Sequence, residues 1–218
     1  MPEREMTALC ELALKHKTDK GGWHTFAGDT CHNYTPIYHA VFGQRRHEVR
    51  RVLEVGVNHG SSLRMWQEYF PFAEIFGLDL RPECLFREER ICCFQADQGN
   101  PDSLRVAVAQ TGGRPFDLIV DDGSHIRQHQ VVTANTLIHY LAQGGSFFTE
   151  DLAGPYAAEI TCRPDLLAAE MIIPDWFAWR GWSAGDGIGR ARCKPHCQSC
   201  KGQGGEYLLE IRRAEADR

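Results

Sequence analysis

The stretch LIVDDGSHIRQHQ, residues 118 to 130, runs from apolar residues straight into Asp121 and Asp122, with His125 close behind. A second acidic pair, Glu150 and Asp151, ends the apolar stretch GGSFFTED. Neighbouring parallel strands lie about 4.8 Å apart, so carboxylates at their ends can converge. Asp122, Glu150 and Asp151 are therefore candidates to hold one divalent ion. An all-oxygen set with open positions suits Mg²⁺ or Mn²⁺. Without a cation, clustered acids repel and one of them takes up a proton. The bland alternative is that each acid caps a helix or faces water separately. His125 has the chemistry of a general base near neutral pH. The chain holds ten histidines, most of which must be ordinary, and the neighbouring acids single this one out.

A second group of residues suits a ligand rather than a proton. LEVGVNHGSS carries Gly56 and Gly60 where the chain turns from strand to helix, which lets a ligand approach the backbone closely. The spacing is not the G-x-G-x-x-G of a dinucleotide fingerprint, which argues against an NAD-dependent dehydrogenase. Asp79 ends the next strand, about twenty residues on, where an acid can accept hydrogen bonds from ribose hydroxyls. Asp97 follows the third strand. Together these favour an adenosine-type ligand, although a plain strand-to-helix turn would also explain the glycines.

The elements that must position these residues alternate regularly. RVLEVGV, EIFGLDL, RICCFQ, LIVDD and GGSFFTED read as strands. Between them, Leu63, Trp66 and Phe70 share one helical face, and Val131, Ala134, Ile138 and Leu141 share another. Asn100 and Pro101 open a further helix as N-cap and first residue. Strands separated by helices describe an α/β fold, a Rossmann-like doubly wound sheet that is mostly parallel, with ligands at the carboxyl ends of its strands. Residues 3 to 16 predict an amphipathic helix. The segment after it, rich in Gly, Thr and Asp but holding Trp23, Phe26, Tyr34 and Tyr38, predicts a lid or binding loop. Residues 1–50 are thus expected to form an N-terminal helix with an aromatic-rich lid or substrate loop. Residues 51–218 form the core, with a Cys- and Gly-rich insertion at about 185–205. WFAWRGW reads as an apolar surface or strand, and GEYLLEIRR as a final strand.

Composition narrows the function. At 218 residues the chain suits one domain with appendages. A net charge of −5 argues against nucleic acid or an anionic membrane as the main partner, RRHEVRR notwithstanding. There is neither a spanning apolar run nor a signal-peptide pattern, so a cytoplasmic location is expected. Nine cysteines without such a signal predict free thiols or a metal site rather than a disulfide framework, with Cys92 and Cys93 as core residues.

The ordered series TDKGGWH, YTPIYHAVF, LEVGVNHGSSLRMWQEYFP, IFGLDL, FQADQGNPDSL, FDLIVDDGSH and FFTEDL resembles the class I S-adenosylmethionine-dependent methyltransferases. Within them it is similar to the metal-dependent macrolide sugar O-methyltransferases of mycinamicin and tylosin type, and to the cephalosporin hydroxylase-like family. The resemblance covers roughly residues 17 to 155 and implies a seven-stranded sheet. It implies that Glu54, Gly56 and Gly60 serve the methionine side of the cofactor, Asp79 the ribose, and Asp97 with Gln98 the neighbourhood of the adenine, with Ser61 and Asp121 as further cofactor-binding residues. It further implies Asp122, Glu150 and Asp151 as Mg²⁺ ligands and His125 as catalytic base. A hydroxyl of a sugar or hydroxylated natural product would lose its proton to His125 and accept the methyl group, with Mg²⁺ favouring the alkoxide. A catechol-type aromatic diol is the alternative acceptor, and a non-catalytic nucleotide-binding protein of the same fold is the alternative class. A homo-oligomer is compatible with either.

The series departs from the family at both ends: the macrolide enzymes carry an additional N-terminal domain, and their C-terminal portion is not recognisable here. That region contains CKPHCQSC, in which Cys193, Cys197 and Cys200 could hold a structural Zn²⁺ with His196 or form a thiol-rich loop. Trp176, Trp179 and Trp182 are candidates for core, dimer contact or an aromatic wall against the acceptor.

Overall fold

A computed structural model describes residues 6–21, 32, 34–151, 177–183 and 207–213. Its centre is β1 (Arg51–Val55), whose five residues are all buried. A strand buried on both faces needs parallel neighbours covered by helices, and β1 has them: β2 (Glu74–Asp79) on one side and β5 (Phe116–Asp121) on the other. β4 (Ile91–Gln95) extends the sheet beyond β2, and β6 (Leu141–Thr149) extends it beyond β5, both in parallel. β8 (Tyr207–Arg213) then runs antiparallel to β6, and β7 (Phe177–Ser183) antiparallel to β8. These are the seven expected strands. A two-residue strand, β3 (Arg87–Glu88), lies antiparallel on β4, giving the order β3-β4-β2-β1-β5-β6-β8-β7.

Helices cover both faces. α1 (Ala8–His16), α2 (Thr35–Phe42) and α3 (Ser61–Tyr69) pack Leu9, Ile37, Phe42, Leu63 and Trp66 into one cluster with Val52 and Leu118. The described part of residues 1–50 therefore shares a core with the sheet. α4 (Pro101–Gln110) and α5 (Arg127–Leu137) close the other face through Leu104, Val108, Ala134 and Leu137, against Leu53 and Ile119. α4 starts as its sequence predicts, with the Asn100 side chain accepting from the backbone of Asp102 and Ser103. α5 is shorter than its periodicity suggests. Residues 138–140 tighten into a 3₁₀ turn, and Leu141 belongs to β6, although Ile138 and Leu141 remain in the same apolar cluster. The helical period continued into a strand because both elements bury their side chains in one core.

The chain leaves β1 toward β2 and β4 in one direction and returns through β5 and β6 in the other. Their carboxyl ends meet at a topological switch point, the place where open α/β sheets bind ligands. No helix among the described residues is long and apolar enough to cross a membrane.

Candidate active site

The switch point opens into a cleft of about 790 Å³. Gly56 forms its floor with φ of +98°, and a Cβ there would lie 2.0 Å from the backbone oxygen of Asp122. No other residue type fits between the ends of β1 and β5. The Asp122 backbone N–H donates to the Val55 carbonyl at 2.9 Å, which sets the two loops in register. Gly60, with φ of +74°, instead caps α3 beside the Phe86 ring, and Ser61 begins that helix on the cleft wall.

Asp79 lies on the wall with both oxygens engaged. Oδ2 accepts from the backbone N–H groups of Val57 and Asn58 at 3.0 and 3.1 Å, and Oδ1 accepts from Arg81 at 2.9 Å. Burial opposes its charge, yet these three donors hold the carboxyl below its ordinary range. Asp97 also lines the cleft and accepts from the Gly99 N–H. Gln98 reaches two elements, donating to Asp121 and accepting from the Ser124 N–H at 2.8 Å. Asp121 is fully buried at the end of β5, and burial pushes its carboxyl up to about 8. It anchors Gln98 from behind the wall.

The acids expected at one cation separate into two environments. Asp122, His125 and Asp151 each offer one ligand atom within 4.8 Å of the others, and all three are half-buried at the cleft. Glu150 lies deeper: Oε1 accepts from the Tyr38 hydroxyl at 2.5 Å and Oε2 from the Lys20 ammonium at 2.6 Å. Both of its oxygens already have donors in this arrangement. Glu54 is buried further back, with Trp66 donating to Oε2 at 2.5 Å and the Lys20 ammonium 3.3 Å from Oε1.

Lys20, which the sequence reading did not single out, joins these groups. Its side chain is 1% exposed and its ammonium also donates to Asp122 Oδ2. Burial works against its charge, but Asp122, Glu150 and Glu54 outweigh it and hold the ammonium well above the usual lysine range. One ammonium facing three carboxyls leaves surplus negative charge. Burial therefore raises the Glu54, Asp122 and Glu150 carboxyls, against the pull of Lys20.

Asp151 is gripped from the same N-terminal segment. The Tyr34 hydroxyl donates to Oδ1 at 2.6 Å and accepts from the Asp151 N–H at 3.2 Å, while His32 Nδ1 lies 3.2 Å from Oδ1. Burial notwithstanding, His32, Tyr34 and His125 hold this carboxyl well below the usual carboxylate range. Asp151 has φ of +48° and His125 has φ of +55°. Two non-glycine residues in the left-handed region at one site mark backbone strain kept by its surroundings. His125 Nε2 is 3.9 Å from Asp151 Oδ2, beyond hydrogen-bond reach, and His125 is 39% exposed to the cleft. No signal in single residues would have found Lys20; Tyr34 and Tyr38, expected in a lid or binding loop, are buried and turned toward Asp151 and Glu150, while Trp23 and Phe26 of that segment lie outside the described residues.

The site is therefore a glycine-floored cleft with two acids and a histidine at its rim. No protein-family model matches the sequence. Curated relatives do. A tetracenomycin rhamnosyl 3'-O-methyltransferase of Streptomyces olivaceus is 38% identical over 156 residues, covering 68% of this chain and 37% of that protein. Demethylmacrocin O-methyltransferase of Streptomyces fradiae is 36% identical over 155 residues, again 68% of this chain and 37% of the relative. Among solved structures, the MycE methyltransferase of the mycinamycin pathway, in complex with Mg and SAH, superposes with a TM-score of 0.67 at 25% identity, covering 98% of this chain and 56% of the other. The chain resembles class I S-adenosylmethionine-dependent methyltransferases. It spans well under two thirds of the length of the curated relatives it matches.

The cleft sits at the switch point, and the sheet ends in the antiparallel strands β8 and β7. Cys193, Cys197, Cys200 and Trp176 lie outside the described residues, and of Trp179 and Trp182 only the strand backbone is described. The zinc reading and the aromatic-wall reading gain no support from the structure. The described cysteines are free, Cys10 and Cys84 buried and Cys92 and Cys93 half-buried on β4.

Proposed function

We propose that the protein is an S-adenosylmethionine- and Mg²⁺-dependent O-methyltransferase acting on a hydroxyl of a sugar or hydroxylated natural product. The observation that carries this reading is the convergence of Asp122, His125 and Asp151 at the mouth of the Gly56-floored cleft. The donor set fits a hard divalent ion: Asp122 and Asp151 offer carboxylate oxygens, and the cleft leaves open positions for water or an acceptor. The glycine floor and the polar wall of Asp79, Asp97 and Gln98 fit an adenosyl ligand. When bound, Mg²⁺ would lower the pKa of a neighbouring hydroxyl, and S-adenosylmethionine would supply the methyl group.

The chain's own residues supply the rest. His125 faces the cleft and takes the acceptor's proton as general base. Asp151, ionised and held by Tyr34, faces the imidazolium that results. Asp79 and Gln98 orient the cofactor's nucleoside, and the Gly56 backbone allows it to lie against the strand ends. The acceptor is a small hydroxylated molecule, consistent with relatives named for methylation of rhamnosyl and macrolide sugars.

Isothermal titration of S-adenosylhomocysteine, followed by methyl-transfer assays with sugar and catechol acceptors, tests the reading. Micromolar binding and transfer to a sugar hydroxyl that EDTA abolishes and Mg²⁺ restores are expected. Absence of cofactor binding removes the methyltransferase reading, and transfer unaffected by EDTA removes the metal.

A further inference from the structure

We infer that Lys20 is the resident cation of the acid cluster: a positioning residue that holds Glu54, Asp122 and Glu150 together and competes with a divalent ion for the oxygens of Asp122. The inference rests on the reading of Asp122 and Asp151 as cation ligands. Three acids from the ends of three neighbouring strands, β1, β5 and β6, point at one ammonium, and two of them are almost completely buried. Buried carboxylates without a counter-charge are strongly disfavoured. Lys20 supplies that charge whether or not a metal is present.

The ammonium is also fixed in place. The Lys20 carbonyl accepts from the N–H groups of Tyr34 and Thr35 at 2.9 and 3.1 Å, which ties its backbone to the start of α2. Tyr38 on that helix holds the other oxygen of Glu150. Withdrawal of the ammonium to water when a second cation arrives would leave the buried Glu54 and Glu150 without a counter-charge. An ion held by Asp122 and Asp151 shares Asp122 with Lys20 and sits close to a like charge in a poorly screened interior, where such repulsion is large. Lys20 thus lowers the affinity of the site for the divalent ion in exchange for a cluster that is assembled without it.

Mn²⁺ binding to wild type and Lys20→Met, followed by the electron paramagnetic resonance of the free ion, tests this together with thermal unfolding in EDTA. The expected result is Mn²⁺ held about tenfold more tightly by the variant, a lower Tm in EDTA, and a larger rise in Tm on adding Mn²⁺ than in wild type. A merely structural lysine would give the opposite, since damage to the site weakens metal binding. An affinity gain of less than threefold, or a loss, overturns the inference. Absence of Mn²⁺ binding in both proteins overturns instead the cation reading of Asp122 and Asp151, on which the inference stands. A second measurement needs no substitution: ¹⁵N-detected spectra of the lysine ammonium groups in wild type should show one exchange-protected resonance that shifts on Mg²⁺ addition. A protected resonance unmoved by saturating Mg²⁺ overturns the inference even where Lys20→Met fails to fold.

Discussion

Replacing Tyr34 by Phe removes one hydroxyl and keeps a ring that is 1% exposed in the core. That hydroxyl makes two bonds to the same residue, donating to the Asp151 carboxylate at 2.6 Å and accepting from its N–H at 3.2 Å. A hydrogen bond to a charged group contributes about 1.5–3 kcal/mol and a neutral one about 0.5–1.5 kcal/mol. Together they exceed the roughly 1–2 kcal/mol that disfavours a left-handed non-glycine residue, the conformation Asp151 adopts at φ of +48°. Without the hydroxyl, Asp151 keeps His32 beside Oδ1 but loses the two bonds that hold its backbone and carboxylate together, and the oxygen it offers beside Asp122 moves. Loss of a group that orients a metal ligand typically weakens binding about 10–100-fold, which is about 1.4–2.8 kcal/mol and within what the two bonds supply. The assay is Mg²⁺ titration of the two proteins by calorimetry, with circular dichroism to establish that both are folded. The expected variant Kd is tenfold or more above wild type, with S-adenosylhomocysteine affinity unchanged. A folded Tyr34→Phe protein whose Mg²⁺ affinity lies within twofold of wild type would refute the argument that Tyr34 sets the position of Asp151.

Three further outcomes follow from the geometry. Gly56→Ala places a methyl group 2.0 Å from a backbone oxygen at φ of +98°, and strain with overpacking should cost about 2–5 kcal/mol in urea unfolding; a loss under 1 kcal/mol would show that the β1 and β5 loops separate easily. His125→Ala should fold normally and keep cofactor binding while kcat falls about 10²–10⁴-fold, and a rate near wild type would exclude it as the base. Asp79 is depressed below its ordinary value in the folded state, so its ionised form stabilises the fold above about pH 4, and that contribution disappears as pH falls through the lower folded value. The stability gap between wild type and Asp79→Asn should therefore be constant near neutrality and close in acid; a gap independent of pH down to acid unfolding would mean that the three backbone donors do not favour the charge.

The sheet was legible because its strands are buried on both faces and read as apolar runs that end in polar residues. The N-cap at Asn100 was legible because side chain and helix start are neighbours in sequence. Gly56 was legible as a point of close approach to the backbone, which the sequence reading assigned to a ligand; the neighbour that the structure shows there is the Asp122 backbone. The end of α5 was not legible, because Ile138 and Leu141 serve the same apolar cluster as the helix and continue its period. Nor was the support behind the acids. Lys20 lies 102 residues from Asp122 and 130 from Glu150, and nothing in TDKGG distinguishes a buried ammonium from a solvated one. Strand ends and resemblance together placed three acids at one cation; the geometry brings Asp122 and Asp151 to the rim with His125 and gives both Glu150 oxygens donors from Lys20 and Tyr38.

Those long sequence separations bear on how the protein is made. Lys20, Tyr34 and Tyr38 leave the ribosome well before Asp122, Glu150 and Asp151 exist, so this segment must wait for its partners until the six strands β1 to β6 have been synthesised. Contacts of such long range make closure slow, since the intervening chain must be ordered first. The acidic rim should accordingly be the last part to acquire protection from hydrogen exchange during refolding, and its assembly should report that the sheet from β1 through β6 is already in register.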